Sequence, residues 1–197
     1  MSDVPVAAVI LAAGASRRLR RPKQLVEYEG ETLLARAIRL AREAGFSPVV
    51  VVLGAEREAI RAGAALGDAV VVENEAWQEG IASSMRAGLR AIAEREPGAA
   101  GALMMPCDQP RLSADHLRRL LSAFRAEDGE AIVASVYAGA RGVPALFPAA
   151  MFPRLNLLAG DVGARRLLMN SKWPVVEVAF EGGEVDIDAP EDLDELG

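Results

Sequence analysis

Short, almost entirely apolar runs alternate along this chain with segments whose apolar residues recur at helical spacing, and this alternation constrains the fold more than any other feature. A continuous apolar run is typical of a strand buried on both faces of a sheet. Five such runs occur: "VAAVIL" (6–11), "PVVVVLG" (48–54), "AVVVE" (69–73), "GALMMP" (101–106) and "AIVASVY" (131–137). The alternation predicts an α/β fold, a Rossmann-like three-layer sandwich with a mostly parallel sheet and helices on both faces.

Helices are predicted between these strands, over 33–41, 56–66, 82–95 and 113–126. The pattern loosens after Tyr137. There we predict a strand and a short helix within 139–155, a helix over 161–170, a strand over 174–180, and a short strand and terminal helix within 184–196. With 197 residues the chain is long enough for one sizeable core but short for a second, so residues 1–197 are expected to form a single domain.

Composition and charge limit the classes of partner. The formal net charge is -6, whereas a protein that binds nucleic acid in bulk is expected to be basic. The single cysteine, Cys107, excludes an intramolecular disulfide, and with the single histidine, His116, it excludes a zinc cluster of cysteines and histidines. The N-terminal apolar run is far too short to span a membrane, and Asp3 stands where a signal peptide would be positively charged. We therefore expect a cytoplasmic protein without nucleic-acid or membrane partners.

Cations are concentrated in the loop after the first strand, against the acidic balance of the whole chain. The loop opens with the small residues "AAGAS" (12–16). Five cations follow: Arg17, Arg18, Arg20, Arg21 and Lys23. Small side chains let backbone N–H groups approach an anion, while arginine and lysine neutralise phosphate charge. The loop matches neither the P-loop pattern nor GxGxxG. One interpretation is a polyphosphate or nucleotide site. The other, a solvated charged loop, accounts for Arg20 and Arg21 but less well for Arg18 and Lys23.

Two further polar loops follow predicted strands, and in an open α/β sheet ligands bind outside the carboxyl ends of the strands. In "MMPCDQPRLS" (104–113), Asp108 offers the single carboxylate that Mg²⁺ on a phosphate often uses, although aspartate beside proline is also a common turn residue. The stretch "NEAWQEGIASSMRAGL" (74–89) places Ser83 and Ser84 in the first turn of a helix. They suit an anion or a base edge, or they simply cap the helix.

These segments, with three later ones, resemble the motifs of the MobA-like nucleotidyltransferase family, in particular its molybdenum-cofactor cytidylyltransferase branch. The loop after the first strand is similar to LAAGxSxRxxxPKxL, and the two other polar loops to N-x-x-W-x-x-G-x-x-S-S and P-x-D-[QM]-P. Three later segments are similar to further family motifs: "RGVPALF" (141–147), "LLAGDVGARRLL" (157–168) and "VDIDAPEDL" (185–193). The resemblance extends from Ala8 to Leu193, with the motifs in the family's order.

The resemblance implies a site built from most of these motifs. Arg18, Lys23 and Asp108 would be catalytic, and the two cations would stabilise charge on the triphosphate of a nucleotide. Asp108 would also bind Mg²⁺ together with Asp186 or Asp188, of which Asp188 is favoured although it also suits a helix-capping role. The implied nucleotide-binding residues are Leu11, Ala12, Ala13, Gly14, Lys23, Asn74, Gly80, Ser83 and Ser84. The implied acceptor-binding residues are Gly142, Pro144, Gly160 and Asp161.

The implied activity is Mg²⁺-dependent transfer of a nucleoside monophosphate to a phosphorylated acceptor, with release of pyrophosphate. In this branch the acceptor would be molybdopterin or molybdenum cofactor, and a molybdenum hydroxylase the possible partner. Ala13 stands where guanylyl-transferring relatives tend to carry glycine, which favours CTP over GTP. Val143 replaces the family's histidine or asparagine, and Arg20 or Arg21 its glycine, so the acceptor and the loop geometry are open.

Two alternatives remain from the sequence. A nucleotidyltransferase could act on another acceptor, such as a sugar phosphate or an alditol phosphate. A non-catalytic maturation factor could bind nucleotide or cofactor and insert it into a partner enzyme. A flavin or nicotinamide oxidoreductase is disfavoured, because the sequence has no dinucleotide fingerprint.

Overall fold

The computed structural model describes residues 4–161, 163, 167–169 and 172–192. Within them the strands are β1 (Val6–Ala12), β2 (Glu27–Tyr28), β3 (Glu31–Thr32), β4 (Val49–Leu53), β5 (Val70–Glu73), β6 (Gly101–Pro106), β7 (Ile132–Tyr137), β8 (Ala140–Pro148) and β9 (Val175–Ala179). The α-helices are α1 (Leu33–Glu43), α2 (Arg57–Gly63), α3 (Ile81–Arg95), α4 (Ala114–Ala126) and α5 (Phe152–Leu155). Short 3₁₀ turns lie at Lys23–Leu25, Trp77–Glu79 and Ala149–Met151.

Seven strands form one sheet in the order β5-β4-β1-β6-β8-β7-β9, and β2 and β3 pair separately as a hairpin. In the main sheet β8 runs antiparallel to β6 and β7, while the other neighbouring pairs are parallel. The predicted α/β fold with a mostly parallel sheet is therefore confirmed. Among the described residues, no helix is long and apolar enough to cross a membrane.

The reversal of β8 comes from a two-residue turn after β7. Ala138 and Gly139, which separate the paired residues Tyr137 and Ala140, have φ values of 47° and 73°. Two consecutive positive φ values are typical of the tight turns that join antiparallel strands. The sequence pattern predicted a strand in this region, but the Ala-Gly pair is a weaker turn signal than Asn-Gly or Asp-Gly, so its antiparallel direction was not predicted.

The predicted short strand within 184–188 is wrong. The segment from Val185 to Asp188 forms no strand, because its backbone hydrogen bonds go to loops: the N–H of Ile187 donates to the carbonyl oxygen of Asp108 at 3.0 Å. Of the predicted helix over 161–170, residues 167–169 are helical, whereas 162, 164–166 and 170 lie outside the described residues. Of the predicted terminal helix, residues 190–192 form a 3₁₀ turn, and the residues from 193 onward lie outside the described residues.

Helices cover both faces of the sheet, as the continuous apolar strands require. Successive residues of a strand point to opposite faces, so Ala8 and Ile10 pack with one buried core and Ala7 and Val9 with the other. The first core includes residues of α1 and α4, and the second includes residues of α3. A Cβ on Gly88 would lie only 2.4 Å from Cγ1 of Val9, so α3 packs directly onto the central strand.

The predicted ends of two helices are confirmed by their hydrogen bonds. Ser113 Oγ accepts from the backbone N–H of His116 at 3.2 Å and caps α4. Gly45 has a φ of 96° just after α1, and its N–H donates to the carbonyl oxygen of Arg42. These ends fix where α1 returns the chain to β4 and where α4 begins after the loop that carries Asp108.

Candidate active site

The chain reverses its direction across the sheet at β1, and a cleft opens there. From β1 the chain crosses to β4 and β5 on one side and then returns to β6 on the other. Such a switch point separates the loops at the carboxyl ends of neighbouring strands and leaves a crevice for ligands. The cleft has a volume of about 650 Å³ and is walled by the loop after β1, the start of α3, the loop after β6 and Val143 of β8.

Side chains from the end of the loop after β1 hold its backbone in place. Gln24 is 1% exposed, and its Nε2 donates to the carbonyl oxygens of Ala12 at 2.7 Å and Gly14 at 3.2 Å. The backbone N–H of Lys23 donates to Ser16 Oγ at 3.1 Å. The solvated-loop interpretation therefore does not describe the small-residue part of this loop, which is braced from within.

Four charged side chains meet at the edge of the cleft, and we call them the charged cluster: Arg18, Lys23, Asp108 and Asp188. Lys23 Nζ donates to Asp108 Oδ2 and, at 2.9 Å, to Asp188 Oδ1. Arg18 Nη2 donates to the other oxygen of Asp188 at 2.7 Å. The three residues predicted as catalytic and the favoured second metal ligand are thus brought together, although they are up to 170 positions apart in the chain.

A small apolar group places the C-terminal part of this cluster. Ile187 is fully buried and packs with Leu19 of the basic loop and with Val26 and Leu33. Because Leu19 follows Arg18 and Ile187 precedes Asp188, this contact brings the guanidinium and the carboxylate side by side.

The carboxylate of Asp188 does not cap a helix. Its own backbone N–H donates to Asp192 Oδ2 at 2.8 Å, and the N–H of Ala189 donates to the same oxygen at 2.7 Å. Asp192 therefore supplies the local cap, and the Asp188 carboxylate points to Lys23 and Arg18 instead. Of the two aspartates between which the sequence left the choice open, Asp188 is therefore the one that hydrogen-bonds to Lys23 and Arg18.

The charges of the cluster shift the pKa values of its members. Desolvation alone would lower the pKa of Lys23, but the charge and hydrogen bond of Asp108 and the hydrogen bond of Asp188 outweigh it and raise this pKa. For Asp188, partial burial would raise the pKa, but the hydrogen bonds and charges of Lys23 and Arg18 lower it. Both groups therefore stay charged at neutral pH, as an ion pair should.

Asp186 is the third carboxyl group beside the cluster. Although part of the residue surface is exposed, desolvation of the carboxyl group, followed by the charges of Asp108 and Asp188, raises the pKa of Asp186 to about 7. Three carboxyl groups thus lie near two cations, Lys23 and Arg18. With a pKa of about 7, Asp186 is only partly ionised at neutral pH and adds a fraction of a negative charge to the cluster.

Cys107 lies beside this edge without contributing to it. Burial, followed by the charge of Asp108, raises the pKa of its thiol to about 12. The thiol is therefore protonated at neutral pH and is not available as a nucleophile.

The polar residues before α3 mostly organise one another. Asn74 Nδ2 donates to Ser83 Oγ at 2.8 Å and to Ser84 Oγ at 3.0 Å, while its Oδ1 accepts from the N–H of Ala76 at 3.1 Å. Ser83 Oγ also donates to the carbonyl oxygen of Gly80 at 2.8 Å. This network fixes the turn from β5 into α3 and presents Ser84, rather than Asn74 or Ser83, to the cleft.

The predicted nucleotide-binding residues fall into two groups. Those that line the cleft are Leu11, Ala13, Gly14, Lys23, Gly80 and Ser84. Those that lie behind its wall are Ala12, Asn74 and Ser83, all at most 6% exposed. Within this cleft, the second group can act on a ligand only through its effect on the shape of the first.

One of the two predicted acceptor-binding segments reaches the cleft directly. The carbonyl oxygen of Gly160 accepts from the N–H of Ala82 at 3.2 Å, and Asp161 lines the cleft. A Cβ on Gly80 would lie 2.4 Å from the carbonyl carbon of Gly160, so this segment packs closely against the first turn of α3.

The other segment presents Val143 instead of the residues predicted there. Gly142 and Pro144 are buried in β8: a Cβ on Gly142 would meet Tyr137 Oη at 2.2 Å, and the carbonyl oxygen of Pro144 accepts from Ser135 Oγ at 2.6 Å. Val143 between them lines the cleft. The cleft therefore has an apolar wall at Val143.

Several residues that line the cleft were not among those predicted: Gln24, Trp77, Gln78, Ile81 and Pro106. Trp77 is seated against the end of β4, where a Cβ on Gly54 would lie 2.6 Å from the Cβ of Trp77. A glycine directly after a buried strand indicates such a close approach, but nothing in the sequence says which side chain approaches.

The donor set of the cluster fits a divalent cation that arrives with phosphates. Among the described residues, no group of three histidine, cysteine, aspartate or glutamate side chains is arranged to hold a metal by itself. Asp108 and Asp188 nevertheless already share one cation, the ammonium of Lys23. Magnesium on a nucleotide typically uses one or two protein carboxylates and takes its other oxygens from phosphate and water. Two carboxylates suffice for that role.

Comparison with known proteins places this cleft in a family. The model of the MobA-like NTP transferase domain matches residues 8–175. The chain belongs to this family. The MobA-like resemblance of the motifs is thereby confirmed, and so is the prediction that the chain is a nucleotidyltransferase.

One relative extends over nearly the whole chain, and a second over about two thirds of it. Nicotine blue oxidoreductase from Paenarthrobacter nicotinovorans is 35% identical in an alignment of 204 positions, which covers 98% of this MobA-like chain and 97% of that protein. The probable molybdenum cofactor guanylyltransferase of Opitutus terrae is 34% identical over 128 residues, 64% of this chain and 59% of that protein.

The crystal structure of Rv0371c from Mycobacterium tuberculosis is similar throughout, with a TM-score of 0.86, 34% identity, and coverage of 99% of this chain and 98% of that one. The same protein is also known as a complex with manganese, which has a TM-score of 0.82, 33% identity and 98% coverage of both chains. A close structural relative of this MobA-like protein therefore binds a divalent cation.

Proposed function

We propose that this MobA-like protein transfers a nucleoside monophosphate, from CTP in preference to GTP, to a phosphorylated acceptor of the molybdopterin type. The reaction uses Mg²⁺ and releases pyrophosphate. Residues 1–197 act as one nucleotidyltransferase domain in the cytoplasm, and a molybdenum hydroxylase receives the product. Nucleic acid and membranes are not among the partners, in keeping with the net charge of -6.

The observation that carries this proposal is the charged cluster. Lys23 bridges Asp108 and Asp188, and Arg18 completes the group at the carboxyl ends of β1 and β6. Cations for phosphate and carboxylates for a metal ion thus lie within hydrogen-bond distance of one another at the edge of one cleft. Transfer of a phosphoryl or nucleotidyl group needs this combination of positioning and charge rather than a covalent step on the protein.

The nucleotide lies in the cleft with its phosphates toward the cluster. Gly14 and Arg17 continue the wall from Lys23, and the first turn of α3, with Gly80 and Ser84, forms the opposite wall. Backbone N–H groups at the start of a helix and in a loop of small residues favour negative charge and hydrogen-bonding base edges.

Ala13 supports the preference for cytosine. It lines the cleft and is only 6% exposed, and its carbonyl oxygen accepts from the N–H of Ala55 at 3.0 Å. Because this bond fixes the backbone, the methyl group of Ala13 cannot withdraw from a larger base. A steric difference of this kind is worth on the order of 1–3 kcal/mol.

The transfer step is an in-line displacement. A phosphate oxygen of the acceptor attacks the α-phosphorus, and the bond from the α-phosphorus to the oxygen bridging to the β-phosphate breaks. Lys23 and Arg18 neutralise the charge that builds on the departing pyrophosphate. Asp108 and Asp188 would hold the Mg²⁺, which when bound supplies further positive charge to the phosphate oxygens.

The acceptor enters along the wall formed by Val143 and Asp161, which line the same cleft. An apolar side chain beside a polar one suits a ring system that carries polar substituents. A relative named as a probable molybdenum cofactor guanylyltransferase supports a molybdopterin-type acceptor.

Pyrophosphate release tests this proposal. The purified protein is supplied with Mg²⁺, a molybdopterin-type acceptor and either CTP or GTP, and we expect faster release from CTP. Equal rates would overturn the base assignment, and no release with any nucleotide would overturn the activity. Sugar phosphates and alditol phosphates, supplied in place of molybdopterin, show whether the acceptor has been assigned correctly.

Two further outcomes would replace the proposal. If Asp108→Ala still supports maturation of a partner molybdenum hydroxylase, binding without turnover is the better account. Because a relative over the full chain is named as an oxidoreductase, the same preparations are assayed for oxidation of reduced nicotinamide nucleotides. Consumption of those nucleotides without pyrophosphate release would assign redox chemistry to this chain.

A further inference from the structure

The ammonium of Lys23 lies between the two carboxylates that would bind the metal ion. Its Nζ donates to Asp108 Oδ2 and to Asp188 Oδ1, and both carboxylates are partly shielded, with side chains 11% and 40% exposed. An ammonium and a divalent cation make the same demand on such a pair, because both take carboxylate oxygens. The two cations therefore compete for one position.

Charge makes this competition strong. The carboxylates of Asp108 and Asp188 are offset by Lys23 and by Arg18, so a second cation entering here meets a nearly balanced group. Like charges within a few ångströms of each other, in a shielded place, repel far more strongly than they do in water. Once the ammonium leaves, Arg18 is the cation of the charged cluster that remains beside the two carboxylates, with Asp186 also nearby. The negative charge then exceeds the positive charge, and a divalent cation is attracted.

Lys23 can leave without disturbing the loop. Its backbone N–H is fixed by Ser16 Oγ at 3.1 Å, and the next residue, Gln24, is buried and holds the carbonyl oxygens of Ala12 and Gly14. The lysine stem is a flexible chain of four carbons, so its ammonium can swing while the backbone stays in place. Lys23 also lines the cleft itself, so phosphate oxygens there are within its reach.

We propose that Lys23 acts as a resident counter-ion of the metal site, which keeps divalent cations away from Asp108 and Asp188 until the phosphates of a nucleotide draw its ammonium aside. This inference rests on the proposed function and deepens it. Metal binding to the two carboxylates is then coupled to nucleotide binding, and by linkage each strengthens the other. Free protein binds the metal poorly, and the metal enters together with the nucleotide.

Binding of Mn²⁺ to nucleotide-free protein tests the competition. Mn²⁺ serves as the probe because the loss of its free-ion electron paramagnetic resonance signal measures binding directly, without activity. We expect weak binding to the wild-type protein and binding at least about tenfold tighter to Lys23→Met. Lys23→Arg keeps the positive charge between the carboxylates and should bind Mn²⁺ as weakly as the wild type.

Two control variants separate occupancy of the site from general charge. Lys172→Met removes the other lysine of the chain, an exposed residue that does not line the cleft, and should leave Mn²⁺ affinity unchanged. Arg18→Met removes a charge next to Asp188 without emptying the position between the two carboxylates, and should tighten Mn²⁺ binding much less than Lys23→Met does. Circular dichroism of each variant establishes that it is folded.

The proposal fails if wild-type and Lys23→Met proteins bind Mn²⁺ equally, or if Arg18→Met gains as much affinity as Lys23→Met. A second test uses the CTP analogue with a methylene group between its α- and β-phosphates. The proposal also fails if the wild-type protein and this analogue together bind no more Mn²⁺ than the protein alone and the analogue alone account for. These results are independent of catalysis. If the wild-type protein releases pyrophosphate but substitution of Lys23 does not change its Mn²⁺ affinity, the proposed nucleotidyltransferase activity is supported and only the counter-ion role of Lys23 is contradicted.

Discussion

Two polar groups of this protein lie on either side of β8 and are built on opposite principles. The charged cluster gathers Arg18, Lys23, Asp108 and Asp188 at the edge of the open cleft. The second group, which we call the buried polar chain, runs from His116 through Ser135 to the carbonyl oxygen of Pro144, and the exposed Arg119 contacts its outer end. In the buried polar chain Ser135 Oγ donates to Pro144 at 2.6 Å and accepts from His116 Nε2 at 2.8 Å.

The buried polar chain is neutral at its centre. Since Ser135 uses its proton on Pro144, His116 Nε2 must carry a proton, and its Nδ1 accepts from Arg119 Nη2 at 3.2 Å. The His116 ring stacks on Phe180 with centroids 4.4 Å apart. Desolvation, followed by the charge of Arg119, lowers the pKa of His116 to about 4. Every hydrogen-bonding position of this imidazole is used, so the group has no capacity left for a ligand.

This contrast shows how burial distinguishes polar groups that stabilise the fold from polar groups that can bind a ligand. The buried polar chain removes charge and satisfies each atom once, which stabilises a fixed arrangement. The charged cluster keeps its charges and lets Lys23 serve two carboxylates that other cations can also serve. A change in the first group should therefore alter the free energy of unfolding, and a change in the second should alter binding and turnover.

Among the substitutions that test this contrast, Asp108→Asn should have the largest effect on pyrophosphate release. The substitution keeps the shape of the side chain but removes the charge that Lys23 and a metal ion need. We expect pyrophosphate release to fall by on the order of 100- to 1,000-fold, the usual cost of removing one positioned charge from an active site. Steady-state assays with CTP and Mg²⁺ measure this loss.

Asp115→Asn is the matched control for Asp108→Asn. Asp115 lies in the first turn of α4, where its side chain is 86% exposed and pairs with Arg118. Surface pairs of this kind contribute little, so activity should stay within about twofold of the wild type. If Asp108→Asn were as active as Asp115→Asn, the charged cluster would have no role in turnover, and the functional difference between it and the buried polar chain would be contradicted.

His116 should show its effect in the pH dependence of stability. Because its pKa in the folded protein is about 4, against 6.5 for the free side chain, the unfolded chain binds a proton between these values and the folded chain does not. Stability from this group is therefore complete above pH 6.5 and is lost as the pH falls. Between pH 6.5 and 5 the loss should be about 2 kcal/mol.

The neighbouring Asp186 changes stability with the opposite sign over the same window. Its pKa is raised to about 7, so the folded chain holds that proton more tightly and gains stability as the pH falls. For this reason the difference in unfolding free energy between wild type and His116→Gln is measured, in denaturant titrations at pH 6.5 and pH 5. A direct check is the imidazole resonance of the one histidine, which should not titrate above about pH 5; a midpoint near 6.5 would show that the ring is exposed to water.

His116→Gln also tests the division between the two groups. It should leave pyrophosphate release within about twofold of the wild type at neutral pH, because His116 touches neither the cleft nor the charged cluster. Activity lost in proportion to stability would mean that the buried polar chain shapes the cleft through Pro144 and Val143.

The fold was largely predictable from the sequence because its strands are buried on both faces. Runs such as Val49–Leu53, where every residue is buried, leave no polar position that could suggest another structure. The reversal of β8 was less predictable because its turn, Ala138-Gly139, is a weak local signal. The path of Val185–Asp188 was less predictable because it depends on a partner distant in the chain. Ile187, for example, donates to Asp108, a contact that no local pattern encodes.

Some residues of the candidate site were also predictable from the sequence, and others were not. Arg18, Lys23 and Asp108 could be proposed because they match the motifs of the MobA-like family, and their position in loops after buried strands is consistent with a ligand site. Asn74 and Ser83 stood in an equally suggestive loop, but their hydrogen bonds are spent on each other. The sequence shows which loops carry polar side chains, but only the structure shows which of those side chains still have hydrogen-bonding groups available to a ligand.

A comparison of two arginines within the basic loop sharpens the contrast further. Arg18 donates to Asp188 at 2.7 Å, whereas Arg21 is exposed three residues later. Because the Arg18 side chain is itself 72% exposed, its loss should cost less than that of Asp108. We expect Arg18→Met to lower pyrophosphate release about tenfold, the size of one charge-assisted hydrogen bond. Arg21→Met should change it less than twofold; equal losses would mean that the loop acts only through its summed charge.

The last expected effect concerns the methyl group of Ala13 rather than either polar group. Ala13→Gly removes the methyl group that limits the size of the base, while the carbonyl oxygen that accepts from Ala55 stays in place. The ratio of the specificity constants for CTP and GTP should therefore fall, by about tenfold, with the gain on the GTP side. Ala15→Gly in the same loop is the control, because it makes the same chemical change at a residue that does not line the cleft. A ratio that moves equally in both variants would indicate a loosened loop. A ratio that moves only at position 13 would show that a neutral methyl group selects the base while the charged cluster beside it acts on the phosphates common to every nucleotide.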